Sequence, residues 1–394
     1  MLSTQAALEK LLALAPALRV EMVPLAEADG RVLARDAVSE RAQPPFAASA
    51  MDGYAVRAAE AVAGAVLTVT GEAAAGHRAG IDLRSGAAIR IFTGAPVPQG
   101  ADAILIQENA TREADRITVH EAPMQGAFIR PAGGDFPAGF YLSAPRRLGP
   151  RDVALLAAMN QDEVAVMCKP VVALIPTGDE LVPPGAHPGP DQIITSNNYG
   201  LAGMLARIGA VPRLCPIARD NRESLLAALS AAEGADIIVT LGGASVGDHD
   251  LVAEVFGEAG LSLDFYKVAM RPGKPLMAGR IGARVMIGLP GNPVSALVCG
   301  EIFLRPMIEA SFGLATGKRQ RLSAQLAHDL EKNGPREHYM RARLTDGSPP
   351  LIEVFEDQDS SRLAILARSN VLVVRPPQAA AARAGDFVEY IPLE

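Results

Sequence analysis

Apolar and polar positions follow three rhythms along this chain. Residues 4–14 repeat at helical spacing, with Leu8, Leu11, Leu12 and Ala15 on one face and Pro16 closing the segment. From 62 to 142 the apolar segments are short, "AVLTVTGE", "AAIRIFTG", "DAILIQEN" and "RITVHEA", and Gly, Pro or Asn separates them. That texture predicts a β-rich module. "GPRDVALLAAMN", 149–160, then predicts one helix with Pro150 and Asp152 in its first turn.

After residue 170 strand and helix alternate. "VVALIP" is a continuous apolar run, as a strand buried on both faces requires. A helix follows over "SNNYGLAGMLARIG", with Ser196 as its expected cap. Next come strand "AVPRLCPI", helix "NRESLLAALSAAEG", strand "ADIIVTL", a glycine loop and helix "DLVAEVFGEAG". Further strands are expected over "LDFYKVAM", "PLMAGRI" and "ARVMIGLPG", then a long helix over "PVSALVCGEIFLRPMIEAS". The alternation predicts a parallel sheet with helices on both sides. From 320 the pattern is strand-like again, which fits a small β-barrel or sandwich.

The expected fold class is multidomain α/β plus β. A central α/β domain with a mostly parallel sheet is joined to a β-rich N-terminal module and a small C-terminal β-barrel. The expected boundaries are 1–45 with 143–168 for an N-terminal helical and linker domain, 46–142 for the β-rich domain, 169–314 for the α/β domain and 320–394 for the barrel.

Composition narrows the function. The chain has 394 residues, 49% hydrophobic and 21% charged, with a net charge of −7, so it offers no general nucleic-acid footprint. Cys168, Cys215 and Cys299 lie far apart, which excludes a zinc pattern or disulfide framework and suits a cytoplasmic protein. No apolar run reaches the length of a membrane span.

Chemistry concentrates in loops that follow strands, where ligands of such sheets bind. "PTGDEL", 176–181, brings Gly178, Asp179 and Glu180 to the rim, and "ARD" brings Asp220. "TLGGASVGDHD", 240–250, combines Gly242, Gly243, Ser245 and Gly247 with Asp248 and Asp250. "GLPGNPVSA" follows, where Asn292 can cap a helix and Pro293 can open it. "KVAMRPGKP" concentrates Lys267, Arg271 and Lys274, cations that suit an oxyanion.

Taken singly, each glycine loop reads as a tight turn and each acid as a solvated or helix-starting residue. Their recurrence at equivalent topological positions points elsewhere. Carboxylates and anion-binding loops share a rim comfortably when Mg²⁺ bridges them, because Mg²⁺ is typically held by one or two carboxylates plus substrate phosphates. Spacing does not assign which carboxylate meets the metal. The six histidines, at 77, 120, 187, 249, 328 and 338, show no ligand spacing, and His249 reads as an exposed loop residue.

The segments "PPFAASAMDGYAVR", "IFTGAPVPQGADAI", "IRPAGGD", "PTGDELV", "GGASVGDHD", "MRPGKP" and "GLPGNPVSA" together resemble the molybdopterin molybdenumtransferase (MoeA) family, which is similar to the E domain of gephyrin. The resemblance runs from about residue 5 to the end. It implies a central domain of the molybdopterin-binding type and the last step of molybdenum cofactor synthesis. Adenylylated molybdopterin and molybdate would become the cofactor and AMP, with Mg²⁺ assisting. Carried over by motif, Asp52, Thr93, Asp135, Glu180, Asp220 and Asp250 resemble the family's active-site residues, with Glu180, Asp220 and Asp250 on the metal. Gly178, Gly242, Gly243, Ser245, Gly247, Asp248, Lys267, Arg271, Lys274, Pro290, Gly291, Asn292, Pro293 and Ser295 resemble its substrate-binding side, and Arg341 and Ser360 resemble positions facing the same cleft.

The family also implies a homodimer in which the N-terminal block faces the partner's cleft, and transient contact with other cofactor-synthesis proteins or acceptor enzymes. No nucleic acid or membrane partner is implied. Ala47 and Ala48 depart from the polar residues common in the family, and Arg271 stands where some members carry Lys. Two other functions compete: a molybdopterin adenylyltransferase, whose fold resembles residues 170–311 alone, and a non-catalytic pterin-binding scaffold.

Overall fold

The computed structural model describes residues 1–243, 251–314 and 320–393. Two compact units divide the chain. One holds residues 1–21, 30–32 and 167–394, and the other holds 22–29 and 33–166.

The larger unit is built on a six-stranded sheet. Its order is Val211–Leu214, Val171–Pro176, Ile237–Leu241, Arg284–Leu289, Met277–Ile281 and Leu261–Tyr266. The first four strands are parallel, the fifth pairs antiparallel with the fourth, and the sixth pairs antiparallel with the fifth, so only the fifth runs against the rest. Alternate side chains feed two cores. Val172, Leu174, Ile237, Val239 and Leu289 pack with helices Asn197–Arg207 and Arg305–Ser311, whereas Ala173, Ile175, Ile238 and Met286 pack with helices Arg222–Ala231 and Leu251–Glu258. The first helix, Thr4–Ala13, belongs to the former core through Ala7, Leu8 and Leu11, and Ser3 caps it by accepting from the Ala6 N–H at 3.1 Å.

The expected long helix is interrupted. Pro293–Cys299 and Arg305–Ser311 are α-helical, but Gly300–Leu304 forms a π turn. Gly300 faces Leu201 so closely that a Cβ there would lie 2.5 Å from Leu201 Cδ2. Gly200 meets Leu297 in the same way at 2.9 Å, so the two helices approach through glycine. Helix Asn197–Arg207 also starts differently from expectation. Ser196 sits at the cap position without a capping bond, because its hydroxyl donates to Asn197 Oδ1 instead, at 3.3 Å.

The C-terminal strands close a five-stranded barrel, since Glu337–Leu344 pairs with both Leu351–Val354 and Val371–Arg375. Leu326, Ala342, Ile352, Val371 and Val373 fill its interior. Met270–Arg271 adds to it as a parallel sixth strand, and a helix at Leu363–Arg368 escaped the sequence reading.

The smaller unit carries a mixed six-stranded sheet, Ala103–Ile106, Gly53–Val56, Ala87–Ile91, Val66–Ala73, Arg116–Val119 and Ala110–Glu113 in order. Its two faces bury Tyr54, Val56 and Leu105 on one side and Ala55, Ile89 and Ile104 on the other. The helix expected over 149–160 spans Pro150–Ala158, and Asp152 accepts from the Gly149 N–H at 3.0 Å.

Phe303 is fully buried in the core that ties the first helix to the sheet. Phe303→Ala is expected to cost about 3–5 kcal/mol, read as a lowered urea midpoint of the larger unit.

Candidate active site

Paired registers level the ends of the parallel strands: Pro176 lies opposite Leu241, and Leu241 opposite Leu289. The loops that follow therefore emerge side by side. They meet at glycine. Gly242 has φ +109°, and a Cβ there would lie 2.6 Å from the Thr177 carbonyl oxygen. One on Gly291 would lie 3.6 Å from Gly242 Cα. At Gly178 the Cβ position is taken by the Glu180 carboxylate, and at Gly243 by Val252.

Together these loops surround a cavity of about 940 Å³. Its wall contains Thr177, Gly178, Glu180, Asp220, Gly242, Gly243, Pro290, Gly291, Asn292, Pro293 and Ser295. Four loops that the sequence placed at strand ends thus share one cavity. Thr195, Ser196, Asn197 and Ser361 complete its polar wall, and Ile193, Ile194 and Leu251 supply apolar surface.

Backbone polarity sorts the glycines by role. The Gly178 and Gly242 N–H groups donate to the carbonyls of Ala218 and Leu289, at 3.0 and 3.1 Å. They hold the loops rather than a ligand. Among the described residues the N–H groups of Gly243, Gly291 and Asn292 have no such partner. Asn292 does not cap its helix as expected. Its side chain donates to Ser360 Oγ at 2.9 Å, and the Ser360 carbonyl accepts from the Val294 N–H at 3.1 Å. The helix start is therefore capped by a barrel loop, which brings Ser360 beside the cavity.

Arg219, which the sequence reading passed over, holds the acidic loop. Its Nη1 donates to the carbonyls of Asp179 at 2.7 Å and Leu181 at 3.1 Å. Asp179 in turn accepts from the Asp220 N–H at 3.0 Å. Partial burial, then the negative charges of Asp179 and Glu180, push the Asp220 carboxyl above its ordinary range. Asn197 donates to the Gly291 carbonyl at 2.6 Å and ties a helix start to the last loop.

Other expected residues lie elsewhere. Lys267, Arg271 and Lys274 are not in the described cavity wall, although Pro275 is. The Lys267 ammonium lies 4.9 Å from the Tyr266 ring centre. Arg341 does not face the cleft. It is 1% exposed, and its guanidinium donates to the Asp359 carbonyl at 2.6 Å and the Asp357 carbonyl at 3.2 Å. It fixes the loop that carries Ser360. Ser245, Gly247, Asp248, His249 and Asp250 lie outside the described residues.

Asp52, Thr93 and Asp135 belong to the smaller unit. Backbone pairing stitches their three segments together: Gly94 donates to Ser49, Ile129 pairs with Ser49, and Asp135 donates to Gln43. The Thr93 N–H and hydroxyl both donate to Asp52 Oδ1 at 2.8 Å. Those two bonds, with Arg90 nearby, hold the Asp52 carboxyl below its usual range. Asp135 is exposed.

Family profiles cover nearly the whole chain. The MoeA N-terminal region (domain I and II) matches residues 2–160, a probable molybdopterin binding domain matches 173–310, and the MoeA C-terminal region (domain IV) matches 323–393. A molybdopterin molybdenumtransferase of Nostoc sp. is 37% identical over 369 residues, covering 90% of this chain and 85% of its own. The chain belongs to the molybdopterin molybdenumtransferase (MoeA) family. A second family member, molybdopterin molybdenumtransferase 2 of Mycobacterium tuberculosis, is 36% identical over 93% of each chain. Two crystal structures of a MoeA molybdopterin biosynthesis protein from Pyrococcus horikoshii superpose with TM-scores of 0.88 and 0.85, at 30% and 28% identity. They cover 100% of this chain and 99% and 100% of their own.

Asp220 yields a test of the acidic rim. A carboxyl whose folded pKa is raised stabilises the fold in acid and loses that contribution as pH rises through the folded value. Asp220→Asn is thus expected to melt slightly above the parent near neutral pH. The gap should vanish in acid below the ordinary aspartate value of 3.8. Thermal melts across pH check this.

Proposed function

We infer that this MoeA-family chain is the transferase that inserts molybdenum from molybdate into adenylylated molybdopterin and releases AMP. The observation that carries the reading is one cavity in which the backbone N–H groups of Gly243, Gly291 and Asn292, without a backbone partner among the described residues, share a wall with Glu180 and Asp220. Among the described wall residues there is no Lys, Arg or His. A polyanion would meet two carboxylates with no opposing side-chain charge unless a cation accompanies it.

Mg²⁺ fits that requirement. Among the described residues no three of His, Cys, Asp and Glu converge as a metal site. Glu180 and Asp220 would supply two oxygen donors and the substrate's phosphates others, the division Mg²⁺ favours. The raised affinity of Asp220 for a proton comes first from partial burial and then from the negative charges of Asp179 and Glu180, and a divalent ion would offset both. When bound, the ion would neutralise charge on the phosphoanhydride as it is cleaved.

The chain's own groups do the positioning. Arg219 and Asp179 hold the two carboxylates in place, and Gly243, Gly291 and Asn292 present N–H donors to phosphate oxygens. Ile193 and Ile194, 58% and 39% exposed, give the substrate an apolar border. Molybdate suits the cationic segment of Lys267, Arg271 and Lys274. The reading also counts Asp52, Thr93 and Asp135 of the smaller unit among the functional residues, and makes the protein a cytoplasmic homodimer that hands its product to acceptor proteins. No described helix is long and apolar enough to cross a membrane.

An adenylyltransferase would need only the central domain, whereas the family match extends over 2–160 and 323–393. A binding scaffold without turnover would have no need of the paired rim acids. Glu180→Gln and Asp220→Asn are each expected to slow AMP release from adenylylated molybdopterin by about 10²-fold or more. Parental rates in both variants would reject the assignment.

A further inference from the structure

In the smaller unit one arginine reaches both halves of the Asp52 and Thr93 pair. Gly53–Val56 and Ala87–Ile91 run antiparallel, with Gly53 opposite Ile91 and Tyr54 opposite Arg90. Asp52 and Thr93 therefore flank neighbouring strands at the same end. The Arg90 guanidinium lies over two rings, 5.1 Å from the Tyr54 centre and 4.7 Å from the Phe92 centre.

Its donors go to the same segments. Nη1 donates to the Gly53 carbonyl at 3.1 Å, one residue after Asp52. Nη2 donates to Gln107 Oε1 at 2.9 Å, and the Gln107 N–H donates to the Asp52 carbonyl at 3.1 Å. On the other side the Ser49 hydroxyl donates to the Met51 carbonyl at 2.6 Å. The backbone around Asp52 is thus held from both directions, and Phe92, next to Thr93, stacks on the same cation. The acceptors of Arg90 are uncharged, so they satisfy its donors and leave its charge in place.

What the pair offers follows from its protons. Thr93 spends both its N–H and its hydroxyl proton on Asp52 Oδ1. An ionised carboxylate has none to give, so Asp52 Oδ2 and the Thr93 hydroxyl oxygen present acceptors alone. An oxyanion would meet repulsion there. A divalent ion would find one carboxylate beside a guanidinium, and among the described residues no three of His, Cys, Asp and Glu converge as a metal site.

We propose that Arg90 is a positioning residue that holds Asp52 and Thr93 as a preset acceptor pair, and that the pair takes an uncharged donor group of the substrate, an amino, ring N–H or hydroxyl. The proposal rests on the functional reading for the identity of the substrate. It deepens that reading by giving the donor-bearing part of the molecule, rather than its phosphates, to Asp52 and Thr93.

Steady-state AMP release by the full chain tests this. Arg90→Met keeps the stem but loses the charge and the fork, and should lower kcat/KM about 10²-fold. Arg90→Lys keeps the charge and should recover about tenfold of that loss. In an Asp52→Asn background Arg90→Met should cost less than about threefold more, because both changes act through one pair. An arginine that only stabilised the sheet would show its full effect there. Titration with AMP locates the donor group. Affinity weakened by Asp52→Asn assigns it to the nucleotide, whereas AMP affinity unchanged with kcat/KM lowered assigns it to the pterin. Additive losses, parental kcat/KM in Arg90→Met, or variants that alter only the molybdate concentration needed for turnover overturn the proposal.

A second readout is independent of turnover. The Thr93 N–H and then its hydroxyl hold the Asp52 carboxyl below its usual range, against a smaller desolvation, and the Arg90 charge adds to them. In a carbon NMR titration of that carboxyl, identified by its loss in Asp52→Asn, the midpoint should rise in Arg90→Met and stay near the parent's in Arg90→Lys. A midpoint unmoved by Arg90→Met overturns the proposal. A midpoint that moves in a chain releasing no AMP keeps the role of Arg90 and rejects the functional reading instead.

Discussion

Everything at the rim depends on backbone meeting backbone where no side chain intervenes. Gly242 stands against Thr177, Gly291 against Gly242, and the Glu180 carboxylate folds into the space that Gly178 leaves. Any larger residue at Gly242 would carry a Cβ into the Thr177 carbonyl and would need a conformation that L-residues rarely adopt. Closing the loops this tightly concentrates two carboxylates beside N–H groups that have no backbone partner among the described residues. That juxtaposition is the chemical character of the site.

The barrel is tied into that rim at two places. The Ser360 carbonyl caps the helix that begins at Pro293, and Asn292 reaches the Ser360 hydroxyl. Arg341, itself buried, holds the loop from which Ser360 projects. On another edge, Met270–Arg271 leaves the α/β domain to pair with the barrel. The helix start is thus engaged by the protein itself, and the donors left for a ligand lie in the loop just before it, at Gly291 and Asn292, and at Gly243 in the neighbouring loop.

Periodicity revealed much of this architecture. Five strands of the central sheet and the helices between them lie within the segments their patterns marked, the strand Leu261–Tyr266 begins two residues before its own, and the barrel strands fall in the strand-like stretch after 320, because burial on one or both faces leaves a local signature. The clustering of strand-end loops was equally legible, since a parallel sheet aligns its carboxyl ends. What escaped was set by partners distant in sequence. Asn292 looked like a cap, yet Ser360 takes over that task from 68 positions away. Arg341 looked like a ligand group until its donors proved to be spent on nearby carbonyls. Arg219 gave no signal, as an arginine that holds the carbonyls of Gly178, Asp179 and Leu181 reads like any surface residue.

The central claim is that one cavity grips a nucleotide-linked polyanion through backbone donors and a divalent ion. A crystal structure of the complex with AMP and Mg²⁺ addresses it most directly. The account requires the phosphate within hydrogen-bond reach of the Gly243 and Gly291 N–H groups, with the ion between it and the Glu180 and Asp220 carboxylates. AMP found on another surface, or bound here with no ion against those carboxylates, would contradict it.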